Sequence, residues 1–89
     1  MKTYKLSFSR QAIKDLKQIT PKDADRIITW LEANIDGCEE PRAHGKNLVG
    51  VANGWRYKVG KYRILTHIYD DEIVIDVFRI GKRGDVYKK

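Results

Sequence analysis

Trp55-Arg56-Tyr57-Lys58-Val59-Gly60-Lys61-Tyr62-Arg63-Ile64-Leu65-Thr66-His67-Ile68-Tyr69 decides the fold of this 89-residue chain. Two β-prone runs flank Gly60-Lys61, a two-residue loop whose leading glycine suits a type II′ turn, so the stretch predicts a β-hairpin. In that register Val59 faces Tyr62, Lys58 faces Arg63, and Arg56 lies on the same face one pair further along. Trp55, Tyr57, Val59, Ile64, Thr66 and Ile68 fall on the alternate face and are expected in a covered core. Like charges directly opposite one another destabilise a sheet, so the Arg56, Lys58 and Arg63 face calls for a polyanion. The plainer reading is a cationic face that only keeps an exposed sheet soluble.

The rest of the chain arranges itself around the hairpin. Tyr4, Leu6 and Phe8 alternate with Lys5 and Ser7 as in a half-buried strand. Ser9 is a natural N-cap for a helix running to about Ile19, with Ile13, Leu16 and Ile19 along one side. Thr20-Pro21-Lys22-Asp23 opens a second helix, because Thr20 can cap, Pro21 suits the first helical position and Asp23 favours the first turn. Ala24, Ile27, Ile28, Leu31 and Ile35 continue it, and Gly37 stops it. Residues 39–54 are polar and punctuated by Pro41, Gly45, Gly50 and Gly54, so they read as a long connection with one turn near Asn47-Leu48-Val49. After the hairpin, Asp70-Asp71 turns the chain into a β-branched run from Glu72 to Ile80. The order β-α-α-β-β-β predicts an α+β fold in a single domain over residues 1–89: an antiparallel sheet, two helices packed on one face, the other face open.

Composition narrows the function. A formal charge of +6 favours an anionic partner, and residues 54–89 hold nine Lys or Arg against five Asp or Glu, while residues 1–53 hold nine against seven. A domain this small buries roughly 60 to 70% of its unfolded surface, which argues against a large enclosed substrate cavity. The single cysteine, Cys38, excludes an internal disulfide and any multi-cysteine metal cluster. Its neighbours Glu39 and Glu40 raise rather than lower a thiol's pKa, which argues against catalysis by it. Met1-Lys2-Thr3-Tyr4 lacks the apolar core of a signal peptide and no run reaches membrane-spanning length, so neither secretion nor membrane insertion is expected, and a cytoplasmic location is.

The strand order and the series Trp55-Arg56-Tyr57-Lys58-Val59-Gly60-Lys61-Tyr62-Arg63-Ile64, followed by Arg79-Ile80-Gly81-Lys82-Arg83 and then Val86-Tyr87, closely resemble the RelE family of bacterial toxins, in the RelE/ParE superfamily. The resemblance covers nearly the whole chain in element order, and its specific content lies between Trp55 and Tyr87. It implies the toxin of a toxin–antitoxin pair, a cognate antitoxin as partner, and metal-independent, cofactor-free cleavage of mRNA in the ribosomal A site. By the same resemblance the ribose 2′-hydroxyl attacks the adjacent phosphate, leaving a 2′,3′-cyclic phosphate and a 5′-hydroxyl. The family's five site positions map onto Arg56 and Lys58, Arg63, Arg83 and Tyr87. Gly84-Asp85-Val86 makes the spacing from Arg83 to Tyr87 shorter than in some relatives.

The residue types suit that chemistry on their own terms. Cleavage needs a base for the 2′-OH, cations for the growing charge on the phosphorane and a donor for the leaving 5′ oxygen. No histidine falls within the motifs, so a lysine is the candidate base. Lys58, flanked by Arg56 and facing Arg63, has the neighbouring cations that favour a neutral amine. Arg56 is confined to electrostatics because a guanidinium keeps its proton above pH 12. Arg63 and Arg83 would clamp the phosphate, with Arg83 near the leaving oxygen, and Tyr87 would stack on a base or orient the ribose.

Further contacts are assigned to RNA or ribosome with a solvated-charge reading beside each: Arg79, Lys82, Lys88, Lys89, and His44 with Lys46 in the long connection. His67 shares the parity of Arg63 but lies about 13 Å further along the strand, beyond direct proton transfer, and is expected at the surface or against an antitoxin. Two other functions fit the same fold: a ParE-like toxin acting on DNA gyrase, and a non-catalytic nucleic-acid-binding module.

Overall fold

The computed structural model describes residues 2–82. Its elements in order are β1 (Lys5–Phe8), α1 (Arg10–Lys17), α2 (Pro21–Asn34), a 3-10 turn (Pro41–Ala43), β2 (Lys46–Asn47), β3 (Gly54–Val59), β4 (Tyr62–Tyr69) and β5 (Val74–Lys82). Five strands form one sheet in the order β1-β5-β4-β3-β2. The α+β architecture with two helices on one face is as expected, and the hairpin has the predicted register, Val59 opposite Tyr62 and Lys58 opposite Arg63. Gly60 has φ +60, as a type II′ turn requires at its first central residue.

The sheet departs from the sequence reading in three ways. It is mixed, because the helical pair carries the chain from β1 across one face to the opposite edge, and the strands that return through β3 and β4 bring β5 alongside β1 in parallel. It gains β2, which pairs with β3 through Lys46–Arg56 and Asn47–Trp55 inside the stretch read as connection. The final strand begins at Val74 rather than Glu72, because Ile73 has φ +55 and its N–H closes a turn onto the Asp70 carbonyl at 3.3 Å.

Both helices start where their caps predict. The Ser9 hydroxyl accepts from the Ala12 N–H, and the Thr20 hydroxyl accepts from the Asp23 N–H with Pro21 in the first turn. The inward face of α1 is rotated from the one expected: Leu16 and Ile19 do pack against the core, but Ala12 and Asp15 are the buried residues and Ile13 is 44% exposed. Asp15 explains the rotation. Its Oδ2 accepts from the Ile80 N–H at 2.9 Å and the Arg79 Nε at 3.1 Å, and its Oδ1 accepts from Gln11 at 3.0 Å. A buried carboxylate with three donors pins α1 to β5, and the helix presents Asp15 rather than Ile13 to the sheet.

The core lies between the helices and one sheet face, with Ile27, Leu31 and Ile35 against Tyr57, Ile64, Ile68, Ile75 and Val77. Thr66, also fully buried, satisfies its hydroxyl by donating to the Trp55 carbonyl. β5 breaks strict alternation: Val77 pairs with Thr66 and Arg79 with Leu65, so Phe78 is an extra residue in a bulge. The bulge lets Ile75, Val77 and Ile80 all face inward.

Candidate active site on the open sheet face

The hairpin fixes Arg56, Lys58 and Arg63 on the sheet face away from the helices, since the alternate residues Tyr57, Val59, Tyr62 and Ile64 are buried. Lys58 and Arg63 are directly opposite, which puts their Cβ atoms about 4.5–5.5 Å apart. On the far side of Arg63 the register places Gly81, which contributes no side chain. The Arg63 Nε is buried and, among the described residues, has no hydrogen-bond partner. An orphaned cationic donor at the floor of a basic face suits an anionic oxygen, because burying it otherwise costs free energy without return.

The face is concave rather than flat. Gly45, Lys46, Arg56, Tyr57, Lys58 and Arg63 line a depression of about 280 Å³. Its rim is β2, which the sequence reading missed. Lys46 pairs with Arg56 and so stands on the same face, bringing a fourth cation from outside the hairpin.

Two hydrogen bonds and one glycine turn hold β2 in place. The Trp55 Nε1 donates to the His44 carbonyl at 2.6 Å, the Tyr57 hydroxyl donates to the Pro41 carbonyl at 2.6 Å, and Gly45, just before β2, takes φ +80. A Cβ on Gly45 would overlap the Arg56 carbonyl oxygen and lie 2.8 Å from the Trp55 Nε1 and 3.0 Å from the Tyr57 ring. Burial pushes the Tyr57 phenol far above its ordinary range, so its proton stays in the bond to Pro41. The available signal for this rim was Gly45 itself, whose left-handed backbone against the sheet only glycine fits.

The other expected contacts lie elsewhere. The Arg79 Nε is held by Asp15, and Arg79 and Lys82 border a separate groove with Gln18 and Ile19. His44 packs edge-on against Trp30 at 5.6 Å. His67 stacks on Phe78 at 4.4 Å, and its Nδ1 lies 3.0 Å from the Ala52 carbonyl. Arg83, Tyr87, Lys88 and Lys89 lie outside the described residues. Trp55 and Tyr57 belong to the covered face, as their parity predicted. Burial raises the Cys38 thiol above its ordinary value, opposite to what a nucleophile requires. Among the described residues no three His, Cys, Asp or Glu side chains gather into a metal site, and no helix is long and apolar enough to cross a membrane.

Residues 6–87 match the family described as the ParE toxin of the type II toxin–antitoxin system parDE. The chain belongs to that toxin family. Toxin RelG of Mycobacterium tuberculosis is 25% identical over 87 residues, covering 97% of this chain and 98% of the relative. The mRNA interferase toxin RelE of Escherichia coli is 24% identical over 90 residues, covering 97% and 92%. The toxin–antitoxin complex RelBE2 from Mycobacterium tuberculosis contains a chain that superposes with a TM-score of 0.81 at 26% identity, covering 96% of this chain and 97% of that one. The resemblance to RelE toxins read from the sequence holds at the level of the RelE/ParE superfamily, and this protein is a toxin of a type II toxin–antitoxin system.

Proposed function

We propose that this toxin is a ribosome-dependent mRNA endoribonuclease that works in the cytoplasm and is held inactive by a cognate antitoxin. The observation that carries the proposal is the depression where Lys46, Arg56, Lys58 and Arg63 converge around an unpartnered, buried Arg63 Nε. In the proposed reaction the Lys58 amine takes the 2′-OH proton, the 2′ oxygen bonds to phosphorus, and the bond from phosphorus to the 5′ oxygen breaks. The departing oxygen takes up a proton, giving a 2′,3′-cyclic phosphate and a 5′-hydroxyl. Arg56 and Arg63 neutralise the phosphorane, and the proposal assigns Arg83 to the phosphate and Tyr87 to a base or ribose. The cations supply the charge that other nucleases draw from metal ions, so the scheme calls for no cofactor. The relative named mRNA interferase supports the chemistry, and the relative solved as a toxin–antitoxin complex supports the antitoxin.

Gyrase poisoning is the second reading, favoured by the family match itself, whose description is a ParE toxin. Programmed ribosomes separate the two. Incubation with the toxin should yield new mRNA 5′-hydroxyl ends within the A-site codon, and Lys58→Ala should abolish them while the fold and antitoxin binding persist, since Lys58 is an exposed strand residue. Intact mRNA together with double-strand DNA breaks in cells would establish the gyrase reading instead. A Lys58→Ala variant as toxic as the parent at equal expression would remove Lys58 as the base.

A further inference from the structure

A cleavage site needs two proton carriers, one for each oxygen exchanged at phosphorus. Of the four cations that the described residues place around the depression, Arg56 and Arg63 cannot serve, because a guanidinium holds its proton too tightly to give it up. Two amines remain, Lys58 and Lys46. The register places Lys46 opposite Arg56, and Arg56 and Lys58 are two residues apart on one strand face, so Lys46 and Lys58 are diagonal neighbours about 7–8 Å apart at the backbone. Side chains of lysine length reach from both positions to oxygens on opposite sides of a single phosphate, with Arg56 and Arg63 beneath it.

We propose that Lys46 is the general acid of the reaction, the residue that protonates the departing 5′ oxygen; this rests on the endoribonuclease reading above. Proton and bond changes then balance within the site. Lys58 gains the proton released by the 2′-OH as the 2′ oxygen bonds to phosphorus, and the Lys46 ammonium gives a proton to the 5′ oxygen as its bond to phosphorus breaks. The two amines exchange protonation states and are reset by solvent. The proposal also accounts for the construction of β2. A two-residue edge strand contributes little to a sheet, yet it is fixed by the Trp55 indole, the Tyr57 phenol and a glycine conformation with no room for a side chain. That degree of fixation suits a strand whose purpose is to hold one amine in place.

The test uses the full-length toxin on ribosomes programmed with mRNA at the linkage that the parent cuts, made either with the natural 5′ oxygen or with sulfur in that bridging position. A thiolate leaves without prior protonation, since a thiol has a pKa of only about 8.5. On the oxygen-linked RNA, Lys46→Ala should slow cleavage at saturating toxin on the order of a hundredfold to ten-thousandfold, as loss of an acid does. Lys46→Arg should be equally slow, because it restores charge and not a transferable proton. On the sulfur-linked RNA both variants should match the parent, whereas Lys58→Ala should stay inactive. Full activity of Lys46→Arg on oxygen-linked RNA would reduce Lys46 to an electrostatic contact and overturn the proposal. Equal losses on both RNAs would overturn it too, by making Lys46 a binding or folding residue. If the parent itself cuts no ribosome-bound mRNA, the endoribonuclease reading fails and takes this inference with it.

Discussion

Gly45→Ala tests whether the rim of the depression is a built feature. The methyl group adds two costs. Ala at φ +80 carries roughly 1–2 kcal/mol of left-handed strain. The new Cβ would overlap the Arg56 carbonyl oxygen and lie 2.8 Å from the Trp55 Nε1, so β2 must move away from β3, giving up the indole bond to His44 and the ladder at Lys46 and Asn47. Each lost hydrogen bond is worth about 1 kcal/mol net, so a shifted β2 that kept its left-handed turn would cost about 4 kcal/mol in all. The chain has a cheaper course, because β2 is a two-residue edge strand and can undock alone. Global stability should then fall by only about 2 kcal/mol, which in a domain of this size lowers Tm by about 8–16 °C. Lys46 would leave the depression in most molecules. Gly50→Ala is the matched control: φ is +85, but nothing lies within 4 Å of the added Cβ, so only the backbone strain applies. Thermal melts, tryptophan emission reporting release of the Trp55 indole, and cleavage on programmed ribosomes should all separate the two variants, with Gly45→Ala worse in each. Identical melts, emission and activity for Gly45→Ala and Gly50→Ala would refute the claim that close packing holds β2 against β3.

Asp15→Ala should cost about 2–4 kcal/mol in urea unfolding, since it strands the buried Ile80 N–H and the Arg79 guanidinium, and Asp15→Asn, which keeps an acceptor, should cost clearly less; equal unfolding midpoints for Asp15→Ala and the parent would show that this carboxylate does not pin α1 to β5. Asp70 governs part of the acid response: hydrogen bonds from Arg42 and from the Tyr4 hydroxyl hold its carboxyl below the usual carboxylate range. A depressed folded pKa contributes stability that is fully present above the unfolded value of about 3.9 and is lost as pH falls through the lower folded value. Asp70→Asn should therefore narrow the gap in Tm between pH 7 and the acid range, and a variant that melts in parallel with the parent at every pH would contradict that linkage. The effect should be modest because the pair is about half exposed and screened by solvent.

Much of this protein was legible in local sequence. Gly60-Lys61 set the hairpin, and with it the pairing of Lys58 with Arg63 and the division of Arg56 from Tyr57, because a two-residue turn leaves one register and strand parity does the rest. Ser9 and Thr20 set the helix starts, because a cap is a bond across three residues. What escaped the sequence depends on partners beyond the local stretch, some of them far away in the chain. Lys46 joins the depression only because β2 docks on β3, and apart from Gly45 nothing around Lys46-Asn47 marks a strand until the Trp55 indole and the Tyr57 phenol reach back to it. Ile13 faces outward because Asp15 is bonded to Arg79 and Ile80, 64 and 65 residues on, and the bulge at Phe78 follows from fitting Val77 and Ile80 into the same core. Periodicity registers how apolar a residue is and is silent on which distant group will satisfy a polar one. The sequence by itself therefore determined the cationic face, and only the tertiary structure decided that it is concave, how it is walled, and which second amine it contains.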